Sequence, residues 1–185
     1  MIADQEIEKL KTDIFSDDWD KVMAASNRLF EIGGQENIDY LLGLLDQSNS
    51  RIRNAVALTF RDNQFNEALE PLLASINKRE NKEYTGTMVY ALEALDCKFK
   101  LRELFNILFD NNSYEVQNHI LTILDEQEFE FTEADLLEIK VNWDKIKSSW
   151  NELNNINSGN LREHDIDQDL IQSFVDGYVS YLEQK

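Results

Sequence analysis

Apolar residues recur along this chain in steps of three and four, the spacing of one helix face, and the pattern itself repeats with a longer period. Val22, Ala25, Leu29 and Ile32 form one such stripe, and Ile52, Val56 and Phe60 form another. Leu29, Phe60, Leu92 and Leu124 anchor the long period, at spacings of 31, 32 and 32 residues. Twelve residues beyond each anchor stands a leucine: Leu41, Leu72, Leu104 and Leu136. Thirteen beyond stand Leu42, Leu73, Phe105 and Leu137. Nine beyond are Ile38, Leu69 and Leu101, then Glu133; sixteen beyond are Leu45, Ile76 and Leu108, then Lys140. The ladder therefore fades in its fourth copy. A period of this length marks stacked units, each unable to bury its apolar face alone.

Each unit reads as two helices. Capping residues mark the starts at Ser16 and Asp17, at Ser48 to Ser50, and at Asn112 or Ser113. Gly33-Gly34 ends the first leading helix, because glycine reaches a left-handed cap at little cost. Asp62-Asn63-Gln64 takes that turn in the second unit with no glycine, and Pro71 is placed in the first turn of its helix. Five residues before the anchors lie Ala24, Ala55, Thr87 and His119, a mostly small position that suits close helix approach. Carried backward, the register reaches Ile7, Leu10 and Ile14, so a helix over 3–15 is expected as an N-terminal cap. The units then run at about 16–46, 48–78, 81–110 and 112–140, followed by a degenerate helix to 157. A linker centred on Asn154 to Asn160 leads to a last amphipathic helix, in a segment 158–185 that carries Ile166, Leu170, Ile171, Phe174, Val175, Tyr178, Val179 and Leu182. That helix closes the array's C-terminal end or docks on a partner.

The unit length and pattern resemble the HEAT-like repeats over about residues 16–140. The resemblance is clearest in DWDKVMAASNRLFEIGGQENIDYLLGLL and in SRIRNAVALTFRDNQFNEALEPLLASI. The third and fourth units depart, with Thr87 and His119 where the family places alanine. Ankyrin and tetratricopeptide signatures are absent. The resemblance implies an all-α fold, a right-handed α-solenoid of helix pairs with N- and C-terminal capping helices. It implies a binding surface more than a chemistry, since fold alone does not fix function.

Composition narrows the partner. The chain of 185 residues carries 36 Asp and Glu against 18 Lys and Arg, a formal charge of −18. Phosphate-backbone binding uses Lys and Arg, so neither direct nucleic-acid binding nor an anionic membrane surface is expected. One cysteine leaves no internal disulfide and no four-cysteine zinc site. The opening MIADQEIEKL is acidic, unlike a signal or transit peptide, and no apolar run reaches the roughly 20 residues of a membrane span. A soluble, cytoplasmic protein, a monomer in the first instance, is the expectation.

Candidate chemistry is sparse. His119 falls at the inward position of its helix and His164 in the polar linker, and neither belongs to a catalytic pattern. Cys97 stands alone, and no Gly-rich phosphate loop exists. Asp165, Asp167, Asp169 and Asp176 mimic a calcium loop, but Leu170 occupies the position that needs glycine, and helix capping explains the aspartates. No cofactor, no metal and no catalytic residue is expected. The second helix of each unit lines the inner curve in HEAT-like arrays. At 100° per residue, offsets eleven, fourteen and eighteen from the anchor oppose its buried stripe. They hold Tyr40, Gly43 and Gln47, then Pro71, Ala74 and Lys78, then Glu103, Asn106 and Asp110, then Asp135, Glu138 and Asn142. Tyr40, Glu103, Asn106, Asp110, Asp135 and Glu138 are the candidate partner-binding residues: an acidic surface for a basic protein or peptide. An immunity or inhibitor protein acting on a basic toxin is one form of this reading. The alternatives are a HEAT-like enzyme or accessory, similar to bilin lyases or DNA glycosylases, and a nucleic-acid mimic.

Overall fold

The computed structural model describes residues 2–156 and 168–183, as ten α-helices and three short 3-10 segments with no strand among these residues. The fold is all-α, built of helices packed in pairs. The chain divides into two units, Met1–Asp96 and Cys97–Lys185. The linker expected around Asn154 to Asn160 is helical at 154–156, and 157–160 lie outside the described residues, as do His164, Asp165, Ile166 and Asp167.

The first unit runs α1 (Ile2–Asp13), α2 (Trp19–Ile32), α3 (Gln35–Leu44), α4 (Ser50–Asp62), α5 (Leu69–Ile76) and α6 (Gly86–Leu92). Short 3-10 turns, Asn66–Ala68 and Arg79–Tyr84, precede α5 and α6. Helix α1 packs on α2, α2 on α3 and α4, and α4 on α3 and α6, while α5 lies against α6. The second unit runs α7 (Leu101–Asp110), α8 (Tyr114–Glu126), α9 (Glu133–Ile156) and α10 (Gln168–Val179), with a final 3-10 turn at Ser180–Glu183. Helix α7 packs on both α8 and α9, and α9 on α10.

The twelfth-offset leucines Leu41, Leu72, Leu104 and Leu136 are all at most 2% exposed. Burying such a side chain contributes about 1.5–3 kcal/mol relative to leaving it in water. The helical step also decides which position shares the anchor's face. Four residues back is 40° away, five back is 140°. Accordingly Ala25, Val56, Met88 and Ile120, four before the anchors, are all buried. At five before, Ala24 is exposed and Thr87 and His119 are half-buried, so only Ala55 fits the small inward position expected there, and His119 is not a core residue. Fifteen beyond the anchors stand Leu44, Ser75, Ile107 and Ile139, all buried; polar Ser75 hides this rung from the sequence. Leu137 is 49% exposed, and α9 instead continues its stripe through Ile139 and Trp143, staying helical across residue 140.

Helix starts and turns are fixed locally. Asp18, not Ser16 or Asp17, caps α2 by accepting from the Asp20 N–H at 3.0 Å, and Asn49 caps α4 through the Arg51 N–H at 3.0 Å. Gly33 and Gly34 have φ of +69° and +82°, the turn the glycine pair demands. Gln64 fills the matching place after α4 with φ +49°. Its N–H donates to the Arg61 carbonyl and that of Phe65 to the Phe60 carbonyl, the hydrogen bonds of a Schellman cap. Pro71 lies in the first turn of α5, where its missing N–H costs no helical bond.

One helix interface also carries a buried polar pair. Ser26 and Thr59 hydroxyls meet at 2.7 Å in the α2–α4 interface, both fully buried. The single Thr59 proton is directed to the Asn27 Oδ1 at 2.8 Å and the Ala55 carbonyl at 3.1 Å, so Ser26 donates to Thr59.

Two stability predictions follow from these geometries. Gln64→Gly removes the cost of a left-handed non-glycine residue and should raise unfolding free energy by about 1 kcal/mol in urea denaturation. Thr59→Val leaves the buried Ser26 hydroxyl unpaired and should cost about 1–3 kcal/mol, of which a second change, Ser26→Ala, restores part. Strict additivity of the two would refute the coupling.

Candidate functional site

Five of the six residues singled out from the sequence, Glu103, Asn106, Asp110, Asp135 and Glu138, belong to the second unit; Tyr40 belongs to the first. Helix α7 buries Leu101, Leu104, Phe105, Ile107 and Leu108, which turns Glu103, Asn106 and Asp110 away from its core. Helix α9 buries Leu136, Ile139 and Trp143; Asp135 and Asn142 flank that stripe half-buried, and Glu138 is exposed. Because α7 packs on α9, these residues share one surface.

Arg102 organises that surface. Its guanidinium lies 3.6 Å from Glu103, 3.6 Å from Asp135 and 3.4 Å from Glu138. One positive charge thus faces three carboxylates, so the cluster keeps a net negative charge while its side chains are held in place. Farther along, the Asn142 side-chain amide donates to the Asn106 Oδ1 at 3.3 Å, a second tie between the helices. Asp110 sits one turn beyond Asn106 at the exposed end of α7. The pairs around Arg102 are solvent-accessible, and such pairs contribute little to stability individually.

Asp135 has a second task. Its Oδ2 accepts from the Thr132 N–H at 2.9 Å and the Thr132 hydroxyl at 2.7 Å, while its own N–H donates to the Thr132 Oγ1 at 3.2 Å. This reciprocal capping box starts α9. The Thr132 hydroxyl and N–H hold the Asp135 carboxyl below its ordinary range, burial opposes them, and Arg102 adds to the lowering.

Tyr40 is half-buried on α3 and faces α1. Its hydroxyl approaches the Lys11 carbonyl at 3.5 Å and the Lys11 ammonium lies 5.2 Å from its ring centroid. Lys11 also stands 3.6 Å from Glu8 and from Glu36. Burial first, then Glu8, raises the Tyr40 hydroxyl pKa.

Sequence reasoning missed Arg102 and the structural use of Asp135. Arg102 gains its meaning only when α9, more than thirty residues away in sequence, packs beside it. The Thr132-x-x-Asp135 spacing was a readable signal for the cap. Among the described residues, no group of three or more His, Cys, Asp and Glu side chains is placed to hold a metal ion. Asp169, Leu170 and Asp176 lie on α10, and Asp176 accepts from the Gln172 amide at 2.7 Å. Cys97 is buried, and its N–H donates to the Gln127 side chain at 3.0 Å. No helix among the described residues is long and apolar enough to cross a membrane. Comparison with family models, with curated proteins and with solved structures finds no match.

Removing the Asp135 cap as Asp135→Ala should cost about 1 kcal/mol at neutral pH. Its folded pKa is depressed, so the contribution is present above the pKa of an unfolded aspartate and disappears as pH falls through the folded value. Chemical denaturation should show the wild type–variant gap closing in acid; a gap independent of pH would contradict the charged cap.

Proposed function

We propose that the chain is a HEAT-like helical repeat, a right-handed solenoid closed by capping helices, and that it acts as a non-catalytic module binding a basic protein or peptide. Three observations support the repeat reading: the period of its buried leucines, the recurrence of buried residues four before and fifteen after each anchor, and the successive packing of α2, α4 and α6. The observation that carries the binding reading is the α7–α9 cluster, in which Glu103, Asp135 and Glu138 surround a single guanidinium. Carboxylates already ordered by Arg102 lose little freedom when a partner's lysines and arginines arrive, which favours affinity as well as steering. Asn106 and Asp110 extend the contact along α7, and Tyr40 offers a neutral contact in the first unit. Neutralisation of a basic toxin by a small acidic immunity or inhibitor protein is one biological form this binding takes.

The test pairs affinity capture and mass spectrometry, at low and moderate salt, with binding measured on the captured partner. Glu103→Lys with Glu138→Lys reverses the face without touching the α9 cap. It should weaken a basic partner by about tenfold or more and flatten the salt dependence of its affinity. Unchanged affinity and salt dependence in the double variant would remove this face as the binding site.

A further inference from the structure

The second unit also contains an open groove that shares no residue with the α7–α9 face. Leu124 and Asp125 at the end of α8 form one side; Phe174, Gly177 and Tyr178 of α10, with Tyr181 beyond it, form the other, around a volume of about 510 Å³. The Tyr178 hydroxyl donates to the Leu124 carbonyl at 3.1 Å. The Tyr178 ring stands edge-on to Phe105, Phe129 and Phe131, with centroids 5.7, 6.1 and 5.9 Å away. Tyr181 rests against Phe131 at 5.4 Å and remains 53% exposed.

Among the described residues that line the groove, Asp125 carries the charge. Burial, then Tyr181 and Asp125, push the Tyr178 hydroxyl up to about 12, so that ring stays neutral. Asp125 is exposed and forms no ion pair with any described residue. On α9, Lys140 pairs with Asp144 at 2.8 Å and Lys147 donates to the Gln172 side chain at 2.7 Å.

Gly177 lies on α10 within the groove lining. Glycine inside a helix weakens it, because the unfolded chain gains freedom that the helix must take away. Packing does not require it here: a Cβ added at 177 would meet nothing within 4 Å.

We propose that this groove receives one arginine side chain of a basic peptide, with its guanidinium paired to Asp125 and its plane laid on the aromatic wall. A planar guanidinium can do both at once, whereas a lysine ammonium is a strongly hydrated point charge. The protein already uses the same stacking internally, with the Arg61 guanidinium 4.0 Å from the Tyr90 ring centroid.

Isotope-labelled full chain titrated with a short acetyl-Gly-Arg-Gly amide, and with its lysine and citrulline counterparts, tests the assignment by nuclear magnetic resonance. The arginine peptide should give saturable shifts centred on Asp125, Gly177 and Tyr181, the lysine peptide should bind more weakly, and the neutral citrulline peptide should not bind. Asp125→Asn and Gly177→Leu should each weaken the arginine peptide by about tenfold. Glu103→Lys with Glu138→Lys should leave it unchanged, so failure here is separable from failure of the α7–α9 reading. No saturable shift with the arginine peptide, equal binding of citrulline, shifts spread over the acidic surface, or wild-type binding by both groove variants would overturn the proposal.

Discussion

Most helices of this protein are too short to stand alone. Helix α6 has 7 residues, α5 has 8, and α3 and α7 have 10 each, whereas isolated helices below ~12–15 residues are marginal in water. Each therefore exists by virtue of the stripe it buries against a neighbour. Three of the twelfth-offset leucines, Leu41, Leu72 and Leu104, are where a short helix, α3, α5 or α7, buries its stripe. That constraint explains why the neighbours are close in sequence. Helix α1 lies on α2, α2 on α3, α3 on α4 and α5 on α6, so the chain secures each element with material that follows soon after.

Regular spacing made much of the all-α fold legible. Leucines at a fixed interval give both the existence of the helices and the face each one buries. Errors arose where a helical step was misjudged or a polar residue replaced an apolar one. Ala24 looks like a packing residue beside Ala25, yet it is 100° away from it and points outward. Ser75 is as buried as the leucines in its rung, because its hydroxyl donates to the Leu45 carbonyl at 2.7 Å and accepts from the Asn81 amide at 3.1 Å. Hydropathy alone cannot find such a position, since the partners that make its burial tolerable come from other segments. The turn at Asp62-Asn63-Gln64 was legible, but not that Gln64 takes its left-handed place, because that conformation is set by the hydrogen bonds of the turn and not by the residue's own preference.

The candidate surface was legible partly in direction and not in electrostatics. Glu138 and Asp110 are exposed, whereas Tyr40, Glu103, Asn106 and Asp135 are half-buried. A helical wheel treats each element separately, so it could not bring Arg102 between carboxylates of two helices. Nor does net charge reveal that Asp135 is already committed to the start of α9. An acidic chain therefore has carboxylates of different kinds: some cap helices, some share a cation, and some, such as Asp125, face solvent with no described ion-pair partner.

The turn between α3 and α4 shows how these dependencies join. The Leu45 carbonyl receives Ser75, those of Gln47 and Ser48 receive the buried Arg53 guanidinium at 2.6 and 2.9 Å, and the Asp46 carboxylate meets Lys78 at 2.5 Å. Every one of these donors comes from later in the chain, from α4, α5 or the residues just after α5. The turn is therefore completed from outside itself. Detaching α5 withdraws the donor that covers the end of α3, and detaching α4 strands two more carbonyls. Opening of this region is thus a shared event, in which backbone amides on either side gain or lose protection together and not helix by helix.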